Sequence, residues 1–181
     1  MSEENTKSVN SSKVYTLYYA FFLIPLIITI FGVMFFFMFK VLTYETNSPA
    51  DYLTDVQIGS ATKRWQAAYE LSKLLSNPEM VPTDVGFKNK MVSIYQHAIH
   101  DDPMVRTYMA LAMGRTGQQD YGPILIEGLN DEDKGSRLAA IKALGLLAYT
   151  PAIKGIQEFA AEKYSNAERL AATISLGSMG D

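Results

Sequence analysis

The chain has 181 residues, with 16 basic and 19 acidic side chains, a formal charge of −3 and no cysteine. That length allows one modest domain plus accessory segments, and the missing cysteines exclude disulfides, thiolate metal sites and a cysteine nucleophile. A mildly acidic balance without any Lys/Arg block argues against nucleic acid as a partner.

Residues 1–14 (MSEENTKSVNSSKV) are polar and aperiodic, and are expected to form a disordered tail. Residues 18–39 then read YYAFFLIPLIITIFGVMFFFMF, 22 positions without a charge. At about 1.5 Å per residue they reach about 33 Å, against a hydrocarbon core of roughly 30 Å. Tyr15, Tyr18 and Tyr19 stand at one edge, and Lys40 and Tyr44 at the other, where amphipathic rings and a snorkelling amine prefer to sit. Pro25 lies in the first turns, where it kinks a span without breaking it.

A cleavable signal peptide would be shorter and end in small residues, whereas Lys40, Val41 and Leu42 follow this run. The core helix of a soluble domain rarely stays uncharged for so long. The expectation is a transmembrane helix with interfacial flanks over 15–43. Lys7, Lys13 and the terminal amine precede it, and Lys40 alone follows closely, with Lys63 and Arg64 at the edge of the window that counts. That bias favours a cytoplasmic N-terminus and an extracytoplasmic remainder.

Residues 44–60 form a connector and a short capping helix: Ser48 and Pro49 suit an N-cap and first helical position, and Gly59 a stop. From 61 to 181 the dominant signal is repetition. DDPMVRTYMALAMGRTG from Asp101, DKGSRLAAIKALGLLAY from Asp133 and SNAERLAATISLGSMGD from Ser165 align without gaps. Arg106, Arg137 and Arg169 share one column and Gly114, Gly145 and Gly177 another, both spaced 31 and 32 residues apart. A weaker first copy, KRWQAAYELSKLL, places Arg64 in the arginine column, and an insertion over 77–89 separates it from the next.

Each copy has the parts of a helical hairpin. Asp102, Asp133 and Ser165 can cap the first helix. Alanine pairs Ala67-Ala68, Ala139-Ala140 and Ala171-Ala172 allow close helix approach, as do the late glycines. Three residues after those glycines come Gly117, Ala148 and Gly180; Gly117 and Gly180 suit left-handed C-caps. The segments KMVSIYQHAI, YGPILIEGL and PAIKGIQEFAA supply second helices, with Tyr95/Ile99, Leu125/Leu129 and Ile156/Ala160 on their inner faces. The predicted class is all-α: a single transmembrane helix followed by a short α-solenoid.

The pattern carried by Asp102, Val105, Arg106, Ala110 and Gly114, and again by Arg137, Ala140, Leu144 and Gly145, resembles HEAT repeats of the short type also found in phycobiliprotein lyases. The resemblance covers about 61–181. It implies a protein-binding scaffold, with the arginine column pairing successive repeats and the second helices lining the concave face. On that arrangement Tyr95, Tyr121, Lys154 and Gln157 are candidate partner contacts.

Catalytic chemistry has little support. His97 and His100 share a face, but no third metal ligand is implied, and a helix C-terminus suits both. Asp131, Glu132 and Asp133 are expected to be solvated capping residues, and Trp65 to pack in the first repeat. No P-loop, dinucleotide fingerprint or nucleophile elbow occurs. The function expected is a membrane-anchored scaffold or accessory subunit that holds a protein partner in the same membrane. No enzymatic activity, cofactor, metal or small-molecule substrate is expected. The alternative is a lyase or chaperone acting on a chromophore protein. Leu170, Ile174 and Leu176 in the last copy are expected to leave one side uncovered.

Overall fold

A computed structural model describes residues 15–42, 47–98 and 102–180. The polar tail, Tyr44, Ile99, His100 and Asp101 lie outside the described residues. Every regular element among the described residues is helical, and the chain divides into two compact units, residues 1–46 and 47–181.

The first unit holds α1 (Tyr15–Leu42), one helix of 28 residues that is long and apolar enough to cross a membrane. None of its residues is buried, which separates it from a core helix. Pro25 has no N–H and its ring collides with the carbonyl four residues back. The helix answers with a π-turn at Tyr19–Leu23, just ahead of the proline, in which the Ile24 N–H reaches the Tyr19 carbonyl. The Thr29 hydroxyl donates to the freed Pro25 carbonyl at 2.8 Å.

The second unit opens with α2 (Pro49–Ile58), fixed by a capping box in which Ser48 and Asp51 satisfy each other's backbone N–H. Leu53 and Val56 are buried toward α3 (Ala61–Leu74), while Asp51, Thr54 and Gln57 stay exposed on the opposite side. Residues 77–89 were expected to be an insertion only. Asp84 instead accepts from the Phe87 N–H at 2.8 Å and starts α4 (Val85–His97) inside that stretch.

The first helices of the repeats are α3, α5 (Pro103–Arg115), α7 (Lys134–Leu146) and α9 (Asn166–Met179). They stack in sequence order, each packed on the one before. Asp102, Asp133 and Ser165 cap α5, α7 and α9, and Pro103 takes the first position of α5. The alanine pairs at 67–68, 139–140 and 171–172 are all buried between neighbouring helices.

The second helices are α4, α6 (Gly122–Glu127) and α8 (Ile153–Gln157). The latter two are short and run between 3₁₀ turns at Gln119–Tyr121, Gly128–Asn130, Thr150–Ala152 and Glu158–Ala160. This tightening moves one inner position. A 3₁₀ turn has three residues per turn, so Phe159 is buried below Ile156, and Ala160, expected there, is exposed. Leu125 and Leu129 are both buried as the sequence suggested.

The C-caps differ from expectation in two repeats. Gly117 is left-handed at φ +69. Ala148, not Gly180, is the second such position, at φ +48; Gly180 has φ −99 and closes α9 in the right-handed region.

Candidate functional site

The arginine column forms the polar seam of the solenoid. Arg106, in the second turn of α5, is buried and ion-paired with Asp131, in the loop that leads into α7. Asp131 was expected to be solvated with its neighbours. Its burial follows from this pairing, since a carboxylate leaves water only with a charge and hydrogen bonds to meet it. Its Oδ1 also accepts from the Asp133 N–H at 2.8 Å, while Asp133 caps Ser136 at 2.7 Å.

One repeat later Arg137 donates through Nε to Glu168 at 2.7 Å and through Nη1 to the Asp131 carbonyl at 2.7 Å. Each of these arginines therefore reaches forward to an acid in the following repeat. Arg64 donates to the Val56 carbonyl of α2 at 3.0 Å. Asp131 was read in the sequence only as a solvated turn acid, and Glu168 was not singled out. A signal existed for Glu168, because Ser165 and Glu168 have capping-box spacing just before the arginine column.

The glycine column marks where backbones touch. A Cβ on Gly114 would lie 2.6 Å from the Ala143 Cα of α7, and one on Gly145 would lie 2.9 Å from the Ser175 Cα of α9. Only hydrogen fits at either place. A Cβ on Gly177 would meet nothing within 4 Å.

Of the four candidate contact residues, Lys154 and Gln157 are exposed on α8. Tyr95 and Tyr121 are each only 1% exposed and offer no surface to a partner. The Tyr121 hydroxyl donates to the Met91 sulfur at 3.5 Å, and burial, with a smaller effect from Asp120, pushes its pKa up to about 12. Burial also raises Tyr95, with the nearby Arg106 opposing it. Both phenols are neutral interior groups that join successive hairpins.

His97 is exposed, with Nδ1 2.7 Å from the Ser93 carbonyl. Among the described residues, no group of three or more His, Asp and Glu side chains could hold a metal. Trp65 is half-buried and stacks on Tyr108 of α5 at 6.5 Å between centroids. Tyr15, Tyr18, Tyr19 and Lys40 all lie on α1.

Stacked two-helix units, an ion-pair seam at one column and close backbone approach at another are the interfaces of a repeat protein. Residues 91–177 match the family model of HEAT repeats. These repeats are therefore HEAT-like. The sequence matches no curated protein. HEAT repeats are helical scaffolds for protein interaction, and in this chain the matched segment runs from within α4 to within α9.

Proposed function

We propose that this chain is a membrane-anchored scaffold or accessory subunit, in which α1 spans the bilayer and the HEAT-like unit holds a protein partner in the same membrane. The observation that carries the reading is the union, in one chain, of a fully unburied apolar helix of 28 residues with a repeat unit. A fixed anchor confines both partners to two dimensions, so a modest contact gains effective concentration. Gly32, where an added Cβ would meet nothing within 4 Å, leaves space on α1 for a partner helix. The basic residues ahead of the span favour a cytoplasmic N-terminus and an extracytoplasmic solenoid. Lys154 and Gln157 are the remaining second-helix candidates for partner contact.

Alkaline extraction of native membranes, followed by purification in mild detergent, tests both halves. The chain should stay in the membrane pellet and then elute with a stoichiometric partner. Release into the alkaline supernatant would remove the anchor, and elution as a lone monomer would remove the scaffold. Protease protection of the solenoid in sealed vesicles tests the orientation.

A further inference from the structure

Each first helix buries one side against its neighbours in the stack and leaves an outer edge. Two columns of the repeat form that edge, four residues apart and therefore on one side of each helix. They hold Tyr69 and Lys73 on α3, Leu111 and Arg115 on α5, and Lys142 and Leu146 on α7. Every one of these helices thus contributes one cation and one apolar or aromatic side chain. All three are packed between two others: α3 between α2 and α5, α5 between α3 and α7, α7 between α5 and α9. Their exposed residues therefore belong to the flank of the stack and not to its end.

Tyr69 is 41% exposed and Leu146 56%, and the three cations are exposed beside them. The edge is continuous. Tyr69 meets Tyr108 of α5 edge-on at 5.2 Å, and Leu111, Arg115, Lys142 and Leu146 line one groove of about 430 Å³ that runs on to α9. No acid offsets the charge: α5 and α7 contain none, and Glu70 of α3 is held by Lys73 at 3.1 Å. Lys142 has no acidic partner among the described residues. Arg115 is aimed by its Nη1, which donates to the Ser72 carbonyl at 2.7 Å and hydroxyl at 3.1 Å, and a guanidinium has further donors to give. The exposed acids Asp120, Glu127, Glu132, Glu158 and Glu162 lie instead on the second helices and in the turns.

We propose that this edge of α3, α5 and α7 docks on the bilayer surface, with the headgroup phosphates of anionic phospholipids on Lys73, Arg115 and Lys142. Tyr69, Leu111 and Leu146 then dip to the boundary of the acyl chains. Cations interleaved with apolar and aromatic side chains suit that boundary, and each cation near an anionic surface adds attraction. Chain length selects the membrane over a protein. Only residues 43–48 separate α1 from α2, and six residues reach roughly 20 Å at full extension. An anchor in the bilayer thus keeps the repeats beside headgroups at all times, which turns a weak surface contact into a standing one. The proposal rests on the anchor half of the proposed function and needs no protein partner.

Trp65, the only tryptophan of the chain, stands four residues before Tyr69 on the same side of α3 and reports on this edge. The full chain is reconstituted in nanodiscs of phosphatidylcholine, with or without phosphatidylglycerol, that carry a nitroxide on the lipid headgroup. Quenching of Trp65 should rise with the anionic lipid and fall in high salt. Lys73→Glu combined with Lys142→Glu should lower the docked population about tenfold or more, whereas Lys73→Arg with Lys142→Arg should retain it. Both lysines are exposed, so circular dichroism should not change. Quenching that ignores lipid charge, or that persists in the glutamate variant, overturns the proposal. Trp65 unquenched in every disc, with the glutamate variant losing a partner retained from native membranes, would give the edge to a protein and overturns it as well. A chain that fails to co-elute with the discs removes the anchor and this proposal together; one that co-elutes unquenched removes the docking alone.

Discussion

Glu168 holds two helices with one carboxylate: one oxygen accepts from Arg137 Nε of α7 at 2.7 Å, and the other accepts from the Ser165 N–H at 3.0 Å to close the first turn of its own α9. Burial pushes this carboxyl up, but the hydrogen bonds from Ser165 and Arg137 outweigh it, and the pKa lies below its ordinary 4.5. A value lower in the folded than in the unfolded chain means that the unfolded state binds the proton more readily. Its stabilisation is therefore present above the ordinary value and lost as pH falls through the depressed one.

In urea titrations the wild type should exceed Glu168→Gln in stability near neutral pH, and the gap should close on acidification. A gap independent of pH would contradict this. Arg137→Ala should cost about 3 kcal/mol or more, because it strands a buried carboxylate.

The glycine column gives a prediction with opposite signs in one set of equivalent positions. Gly114→Ala and Gly145→Ala each force a methyl against a neighbouring backbone and should destabilise by about 1–3 kcal/mol. Gly177→Ala meets nothing and should gain up to about 1 kcal/mol from helix propensity. Thermal melts of the three variants check the reversal.

Ala148 sits in the left-handed region that glycine occupies in the preceding repeat. Ala148→Gly should stabilise by about 0.5–1 kcal/mol as the strain of roughly 1–2 kcal/mol is relieved against a looser unfolded chain. Gly117→Ala should lose about 1 kcal/mol for the same steric reason. A matched pair of melting temperatures, one up and one down, is the expected outcome.

Trp65 is the only tryptophan, and its stacking on Tyr108, itself edge-on to Tyr69 at 5.2 Å, makes its emission a reporter of the α3–α5 contact. Tyr108→Ala should shift that emission to the red and cost about 0.5–1.5 kcal/mol beyond the lost burial. An unshifted spectrum would show that Trp65 is held by other neighbours.

What the sequence made legible was local. Ser48, Asp102, Asp133 and Ser165 act within their own first turn, and the alanine pairs and arginine column recur at fixed spacing, so each could be read without a partner in view. What it hid depends on distant residues or on a change of period. Asp131 reads as a solvated turn acid until Arg106 is brought to it. Tyr121 reads as a surface aromatic because its helical face cannot be assigned where the chain switches from a 3₁₀ turn to α6. Tyr95 reads the same way until Met91, Ile94 and Ala98 are seen to bury the same side of its helix. Leu170 and Ile174 are exposed on α9 as their spacing suggested, at 63% each, whereas Leu176, expected beside them, is half-buried against the core.

The π-turn at Tyr19–Leu23 has a geometric consequence for α1. It inserts one residue into an otherwise regular winding, and at 3.6 residues per turn one residue is worth about 100° of azimuth. Residues 15–18 are therefore out of phase with residues 24–42, and a single helical wheel drawn through both assigns the first group to the wrong side. Deleting one residue from the turn would restore a regular winding and leave Tyr15 and Tyr18 on the side of the axis they now hold, so a single wheel would then describe the whole helix.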